Sequence, residues 1–147
     1  GIINQERISS GLMDSKTMGK QKSKRKSELK LWASVGWLVI IWIVSSIPSE
    51  KFPTQEIFSF DKVAHFSAYL ILALLVNSSF RESKLRGRNI WWIYLILFII
   101  AGLDEYHQRF IPGRTVCIED YLANASGLAV GLIFFWILYD RSKEPVS

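Results

Sequence analysis

The sequence is poor in cysteine and, over four long stretches, in charge. Cys117 is the single cysteine of the 147-residue chain, which excludes an intramolecular disulfide framework and leaves a free thiol or an intermolecular bridge. No Asp, Glu, Lys or Arg occurs in the apolar stretches 31–49, 63–80, 89–103 and 121–139. A soluble domain interrupts such runs with charges, and a disordered chain lacks this apolar content. The class that remains is an integral membrane protein.

Three of these stretches are long enough to cross a bilayer. A hydrocarbon core of about 30 Å takes roughly 17 to 25 helical residues. Residues 31–47 form the first predicted span, closed by Pro48, which cannot donate the next helical hydrogen bond. Residues 63–80 and 121–139 form two more spans.

The run 89–103 is only fifteen residues long, so we expect its helix to continue through Asp104, Glu105 and His107. The predicted fold is therefore all-α, a polytopic membrane bundle of four transmembrane helices over residues 31–139.

The ends of the chain differ from this domain in composition. Residues 1–30 hold eight basic, three acidic and only seven apolar residues, and we interpret them as a basic, disordered cytoplasmic tail. Gly1 is not an initiator residue, so Met13 or Met18 is the expected natural start and the preceding residues an artificial extension. Residues 140–147 form a short second tail.

The distribution of charge predicts the orientation of the spans. Formal charge is +5 over residues 1–30 and +3 over 80–89, but −1 over 48–62 and −2 over 104–120. The positive-inside rule places the basic segments and both termini in the cytoplasm, and the acidic connections outside. The basic excess is thus a topology signal, and no basic patch is interleaved with stacking aromatics, so we expect no nucleic-acid partner.

Polar residues collect where the acidic connections meet the spans. They lie at helical spacing, on one face of each predicted helix, and we expect them at one outer depth. Ionisable residues near a bilayer are costly unless they face protein or water, so they mark a candidate site. The stripes comprise Asp61, His65 and Tyr69, then Asp104, Glu105 and Gln108, and finally Asp120 and Asn124.

Small residues continue the last stripe. Ala123, Gly127 and Gly131 recur at every fourth position and would let another helix approach closely. That helix belongs either to the bundle or to a second copy, so an oligomer through this Ala/Gly face is one expected partner.

Simpler explanations compete at individual positions. A lone histidine on an apolar helix is more often an interhelical hydrogen-bonding residue than a ligand. Asp61 and Asp120 fit a role as helix N-caps, where a carboxylate accepts backbone N–H bonds. A structural alternative treats the whole set as a buried polar network that only fixes helix register.

Three blocks of this region resemble one family. DKVAHFSAYLILALL at 61–75, DEYHQRFIPGR at 104–114 and EDYLANASGLAVG at 119–131 are similar, in order and spacing, to the VanZ-like family of small bacterial membrane proteins. The resemblance implies a multi-pass plasma-membrane protein associated with resistance to lipoglycopeptide antibiotics such as teicoplanin. It supplies no mechanism, and it covers neither the tail nor the first span.

The residue types suggest a ligand that carries both signs of charge, such as a phospholipid, a lipid-linked cell-wall precursor or an acylated antibiotic. Lys62, Arg109 and Arg114 are the predicted groups for phosphate or carboxylate. The spacing contains no closed zinc motif, so a metal is not the preferred interpretation, although oxygen ligands with Asn124 would suit Mg²⁺ or Ca²⁺ and His65 would admit Zn²⁺ or Mn²⁺. Asp104, Glu105 and Asp120 are the predicted ligands of a divalent cation if one is held.

Two functions remain open. In the first, an enzyme transfers or hydrolyses a lipid head group or glycan phosphate, with His65 or Glu105 as general base, Asp104 and Asp120 orienting it, and Arg114 stabilising phosphoryl charge. In the second, the same residues, with Asp61, Tyr69, Gln108 and Asn124, only bind a lipid or antibiotic at the outer leaflet and block access to it.

Overall fold

A computed structural model of the chain describes residues 2–48, 57–82, 88–114 and 116–141. These segments contain four α-helices, each with a segment long and apolar enough to cross a membrane. The predicted all-α, four-helix membrane fold is confirmed. The helices are α1 (Ile2–Ser45), α2 (Ile57–Glu82), α3 (Arg88–Gln108) and α4 (Ile118–Arg141).

Helix α1 is longer than the sequence predicted. The segment 1–30, expected to be a disordered tail, is helical from Ile2 onward and continuous with the first span. Lys, Gln, Glu, Arg and Met are strong helix formers, and a helix that grows from a formed apolar segment needs no new nucleus. The side chains of 11–30 are mostly exposed. Ser27 touches the bundle, donating a hydrogen bond to the Ser79 carbonyl at 3.3 Å.

The C-terminal boundary is also extended. Helix α4 runs to Arg141, past the predicted start of the second tail at residue 140. Residues 142–147, the remainder of that predicted tail, lie outside the described residues.

The helices pack in the ring order α1, α2, α4, α3. Helix α2 contacts α1 and, most extensively, α4, while α3 contacts α4 and, at few points, α1. The core contains Tyr69, Leu72, Leu128 and Tyr94. Large apolar side chains such as Trp91 and others on the outer faces are exposed. A bundle whose outer faces are apolar fits a lipid environment.

Close contact between α2 and α4 depends on two glycines. A Cβ atom on Gly127 would lie 2.4 Å from the Phe66 carbonyl oxygen, and one on Gly131 would lie 2.2 Å from the Ala73 Cβ. Both distances are shorter than van der Waals contact, so only glycine fits, and Ala123 lies half-buried one turn earlier. Because α2 already covers both glycines, the structure uses this face inside the chain. An oligomer through the same face stays an untested prediction.

A polar group in the other half of the bundle joins α2, α3 and α4. Asn77 donates a hydrogen bond to the Gly131 carbonyl at 2.7 Å and accepts one from the Tyr94 hydroxyl at 2.8 Å. We call these three residues the Asn77 network. The side-chain carbonyl and NH₂ group of Asn77 each have a partner. The network therefore holds three helices together and leaves neither of these groups without a partner.

Candidate functional site

The helix ends bring the predicted site residues together. The C-terminal ends of α1 and α3 meet the N-terminal part of α2 and the N-terminal end of α4, and polar side chains are buried between them. Asp104 and Glu105 retain only 1% and 4% of their exposure, so neither is a solvated surface carboxylate. We call the following set the acidic cluster: Asp61, His65, Tyr69, Asp104, Glu105, Gln108, Asp120 and Asn124.

Three of these residues form a chain of contacts from α2 through α4 to α3. The Asn124 NH₂ group donates to Glu105 Oε1 at 3.1 Å, and its amide oxygen lies 3.0 Å from His65 Nδ1. Because an amide oxygen can only accept a hydrogen bond, His65 must carry a proton on Nδ1. Asn124 thereby fixes both the orientation of the imidazole and one oxygen of Glu105.

The Nε2 side of the imidazole points at the Asp61 carboxylate. His65 Nε2 lies 3.7 Å from Asp61 Oδ1, which is longer than a hydrogen bond. One ligand atom from each of Asp61, His65 and Asp120 lies within 4.8 Å of the other two. Asp61 is half-exposed, whereas His65 and Asp120 are buried, so this part of the cluster is reached from the Asp61 side.

Asp104 is held from two directions. Ser45 donates a hydrogen bond to its Oδ2 at 3.1 Å, and the Tyr69 hydroxyl donates to the same oxygen at 3.2 Å. The Asp104 carboxylate is therefore fixed by α1 and α2 through one oxygen. Its second oxygen, Oδ1, is buried and has no hydrogen-bond partner among the described residues.

Two further buried atoms of the cluster also lack a partner in the described part of the chain. They are Glu105 Oε2 and the Gln108 side-chain nitrogen Nε2. A buried polar atom without a partner costs about 1–3 kcal/mol, so most native interiors avoid it. Asp104, Glu105 and Gln108 thus each hold one buried atom that could meet a ligand, which makes this end of the bundle the candidate site.

The predicted basic residues do not act as one group. Lys62 forms an ion pair with Glu119 at the rim, and Arg109 is exposed. Arg114 lies closer to the cluster, since its Nη1 donates to Gln108 Oε1 at 3.2 Å and its Nε to the Ile47 carbonyl at 3.4 Å. Of the three predicted anion-binding side chains, Arg114 is the one that contacts the acidic cluster.

Several expectations change with this geometry. Asp61 is not an N-cap, because α2 begins at Ile57 and Asp61 lies a turn further on. Asp120 lies in the first turn of α4, after the capping position but still where a carboxylate is favoured by the helix dipole. The helix α3 does continue through Asp104 and Glu105, as its short apolar run predicted.

The first helix was missed as part of the site. Ser45 and the Ile47 carbonyl, at the end of α1, contact Asp104 and Arg114, whereas the sequence predicted a site made by the other three spans. The available signal was Ser45 in an apolar run, at the same predicted depth as the acidic residues. A hydroxyl is common in membrane helices, so this signal is weak.

The candidate metal ligands also differ from those predicted. The sequence suggested Asp104, Glu105 and Asp120. Among the described residues, the group of acidic and histidine side chains close enough to share one ion is Asp61, His65 and Asp120. Helical spacing placed Asp61 and His65 on one face, but the pairing of α2 with α4, which brings Asp120 to them, is a tertiary contact.

Comparison with known proteins gives the family. The family model VanZ-LLP1, described as VanZ/LLP1, matches residues 11–139, so the chain belongs to this family. The match begins within the N-terminal part of α1, twenty residues before the predicted domain boundary.

A fission yeast protein is similar to part of the chain. An uncharacterized protein, C11E3.10, of the fission yeast Schizosaccharomyces pombe is 29% identical over 87 residues, which cover 58% of this chain and 52% of the yeast protein. The chain thus spans about half the length of that curated relative. No solved structure matches the chain.

Proposed function

We propose that this VanZ/LLP1-family membrane protein is an enzyme that transfers or hydrolyses a phosphate-linked head group of a membrane lipid or lipid-linked glycan. The observation that carries the proposal is Glu105, whose Oε1 is held by Asn124 while its buried Oε2 has no partner among the described residues. A fixed carboxylate with one open oxygen suits a general base that must meet its substrate in a defined position.

The arrangement favours Glu105 over His65 as this base. Both ring nitrogens of His65 already face protein groups, Nδ1 the Asn124 amide oxygen and Nε2 the Asp61 carboxylate. Glu105 Oε2 is open to a ligand. In the proposed step Glu105 takes a proton from water or an acceptor hydroxyl, whose oxygen bonds to phosphorus while the head-group oxygen leaves and takes up the proton.

The remaining residues have positioning and electrostatic roles. Asp104 is fixed by Ser45 and Tyr69, and its open Oδ1 suits a hydroxyl or amine of the head group. Arg114, whose Nη1 donates to Gln108 of the cluster, would stabilise charge on the transferred phosphoryl group. Gln108, bonded to Arg114, offers its unpartnered NH₂ group to a phosphate oxygen.

We place the cluster at the outer surface of the plasma membrane. Support comes from the charge of the connections in the sequence, since residues 48–62 and 104–120 are net acidic and 80–89 are net basic. Helices that meet lipid on their outer faces would give an acyl chain a route along the bundle. A lipid-linked ligand would then present its head group to the acidic cluster.

The ligand class that we favour is a phosphate-bearing membrane lipid, such as a glycerophospholipid or a polyprenyl-linked phosphate. In a bacterium, altered susceptibility to teicoplanin would follow indirectly, because this acylated antibiotic acts at the same membrane surface.

Lipid and cell-wall analysis tests the proposal directly. Membranes from cells with the wild-type protein, without it, and with Glu105→Gln are compared by untargeted mass spectrometry, and Glu119→Gln serves as the control because Glu119 is an exposed carboxylate at the rim. We expect a product that requires the wild-type or Glu119→Gln protein and falls by about 10²–10⁴-fold with Glu105→Gln.

Two other outcomes would contradict the proposed enzymatic function. A ligand that copurifies with the protein and is unchanged would instead favour the binding function, in which the protein blocks access at the outer leaflet. A product lost only in proportion to protein abundance would favour the structural network.

A further inference from the structure

We infer that Asp61, His65 and Asp120 form a binding site for one divalent metal ion of the Mn²⁺ and Zn²⁺ class. The three side chains come from α2 and α4, and one ligand atom of each lies within 4.8 Å of the other two. One imidazole nitrogen with two carboxylates is a donor set that suits these ions. The inference goes beyond the proposed reaction, because the ion is bound by the protein alone.

The partners of His65 leave one ring nitrogen for the ion. The Asn124 NH₂ group donates to Glu105, and its amide oxygen faces His65 Nδ1 at 3.0 Å. Nε2, on the other side of the ring, lies 3.7 Å from Asp61 Oδ1. A cation between this nitrogen and the carboxylate would bond to both.

The separation of the groups supports an ion in preference to a direct ion pair. His65 Nε2 and Asp61 Oδ1 are 3.7 Å apart, beyond hydrogen-bond distance. Two ligands of one metal ion, each about 2.0–2.2 Å from it, lie at a comparable separation. A tetrahedral site would place two such ligands about 3.3–3.6 Å apart, so the observed 3.7 Å requires only a small approach of the two groups.

Asp120 provides a second, independent observation. Its side chain is 7% exposed, close to the 8% of His65, and no hydrogen bond or ion pair to its carboxylate occurs within the described segments. The nearby Lys62 is engaged by Glu119 instead. One oxygen of this largely buried carboxylate lies within 4.8 Å of the ligand atoms of Asp61 and His65, so it faces the two other ligands.

The surrounding residues have the form of an outer ligand shell. A metal-bound histidine almost always donates its second N–H to an oxygen that fixes the ring, and Asn124 fills that role here, backed by Glu105. Asp61 is half-exposed, which gives the ion a path of entry. Three protein ligands leave open positions for water or for an oxygen of a bound ligand.

Metal binding to the purified, detergent-solubilised chain tests this site. Chelator-treated protein is dialysed against Mn²⁺ or Zn²⁺ alone, and bound metal is measured by mass spectrometry. We expect one ion per chain and an affinity more than about tenfold lower in Asp120→Asn and Asp61→Asn. The control, Glu28→Gln, removes an exposed carboxylate on α1 outside the site and should bind as the wild type does.

A second variant distinguishes loss of the metal site from a general loss of stability. Asn124→Ala removes the group that orients His65 without removing a ligand, so it should weaken binding by about 10–100-fold, while Asn124→Asp, which keeps an acceptor oxygen, should recover part of the loss. Stoichiometric loss of metal with unchanged unfolding temperature supports the site. No saturable binding, or equal affinity in Asp120→Asn and wild type, would overturn it, whatever the lipid analysis gives.

Discussion

Two buried polar groups in this bundle differ in how completely their atoms are paired. In the Asn77 network, the amide carbonyl and NH₂ group bond to Tyr94 and the Gly131 carbonyl. In the acidic cluster, Asp104, Glu105 and Gln108 each keep one buried atom without a partner among the described residues. Both groups are buried between the same three helices, α2, α3 and α4. Neither burial nor position among the helices therefore distinguishes them. A paired network is complete as a structural link, whereas an unpaired one has positions left for a ligand.

The variant with the largest expected effect breaks both groups at once. In Gly127→Ala the new Cβ would lie 2.4 Å from the Phe66 carbonyl oxygen and 2.9 Å from the Leu70 backbone nitrogen, so α2 and α4 must separate. Overpacking of this kind costs about 1–3 kcal/mol or more, and rigid backbone contacts favour the upper end. Thermal unfolding in detergent should show a large fall in unfolding temperature.

The control for this variant is Gly36→Ala. Nothing lies within 4 Å of a Cβ at Gly36, and alanine is the better helix former by about 0.5–1 kcal/mol. Its stability should equal or slightly exceed that of the wild type. Equal stability of Gly127→Ala and Gly36→Ala would mean that α2 and α4 are not in close contact.

The second variant, Asn77→Ala, disrupts the Asn77 network and leaves the acidic cluster intact. Asn77→Ala removes the partner of the Tyr94 hydroxyl and leaves that group buried in an apolar setting. We expect a loss of about 1–3 kcal/mol in the free energy of unfolding, with metal binding and lipid product reduced only as far as folded protein is lost. A product that disappears while folded protein remains would show that the Asn77 network is also functional.

The sequence predicts the acidic cluster better than it predicts the Asn77 network. Charged residues are rare beside apolar runs, so Asp61, Asp104 and Asp120 stood out, and helical spacing placed each of them on a stripe with its neighbours. Asn77 and Tyr94 are uncharged and lie inside the runs. Their pairing joins residues 17 positions apart in the chain, and nothing local indicates it.

Tertiary packing also decides which predicted residues share a site. The stripes on α2 and α4 gave no information about their relative rotation, which is set by the close approach at Gly127 and Gly131. That contact brings His65 to Asn124 and Asp120. The long α1 was misjudged for another reason, because the composition of 1–30 indicates low hydrophobicity but says little about a helix continued from a neighbouring span.

For a third variant, Glu105→Gln, we expect the change in the free energy of unfolding to differ in sign from that of a structural residue. Glu105→Gln keeps an oxygen for Asn124 but removes a buried charge whose second oxygen has no partner in the described segments. We expect the free energy of unfolding to stay within about 1 kcal/mol of the wild type or to rise, because groups held for function are often unfavourable for stability. Unfolding of the purified variant measures this. A loss as large as that of Asn77→Ala would assign Glu105 to the structural network.

The smallest expected effects come from a matched pair of arginines. Arg114 contacts Gln108 and the Ile47 carbonyl, so Arg114→Gln should cost about 1 kcal/mol of stability. It should also reduce the lipid product, since it removes a cation that contacts the acidic cluster through Gln108. Arg109 is exposed, and Arg109→Gln should change stability by less than about 0.5 kcal/mol and leave the product unchanged. Both substitutions remove one positive charge from the same connection. Equal effects on the product would therefore mean that the overall charge of the 104–120 segment attracts the ligand, whereas an effect of Arg114 alone requires a contact within the cluster.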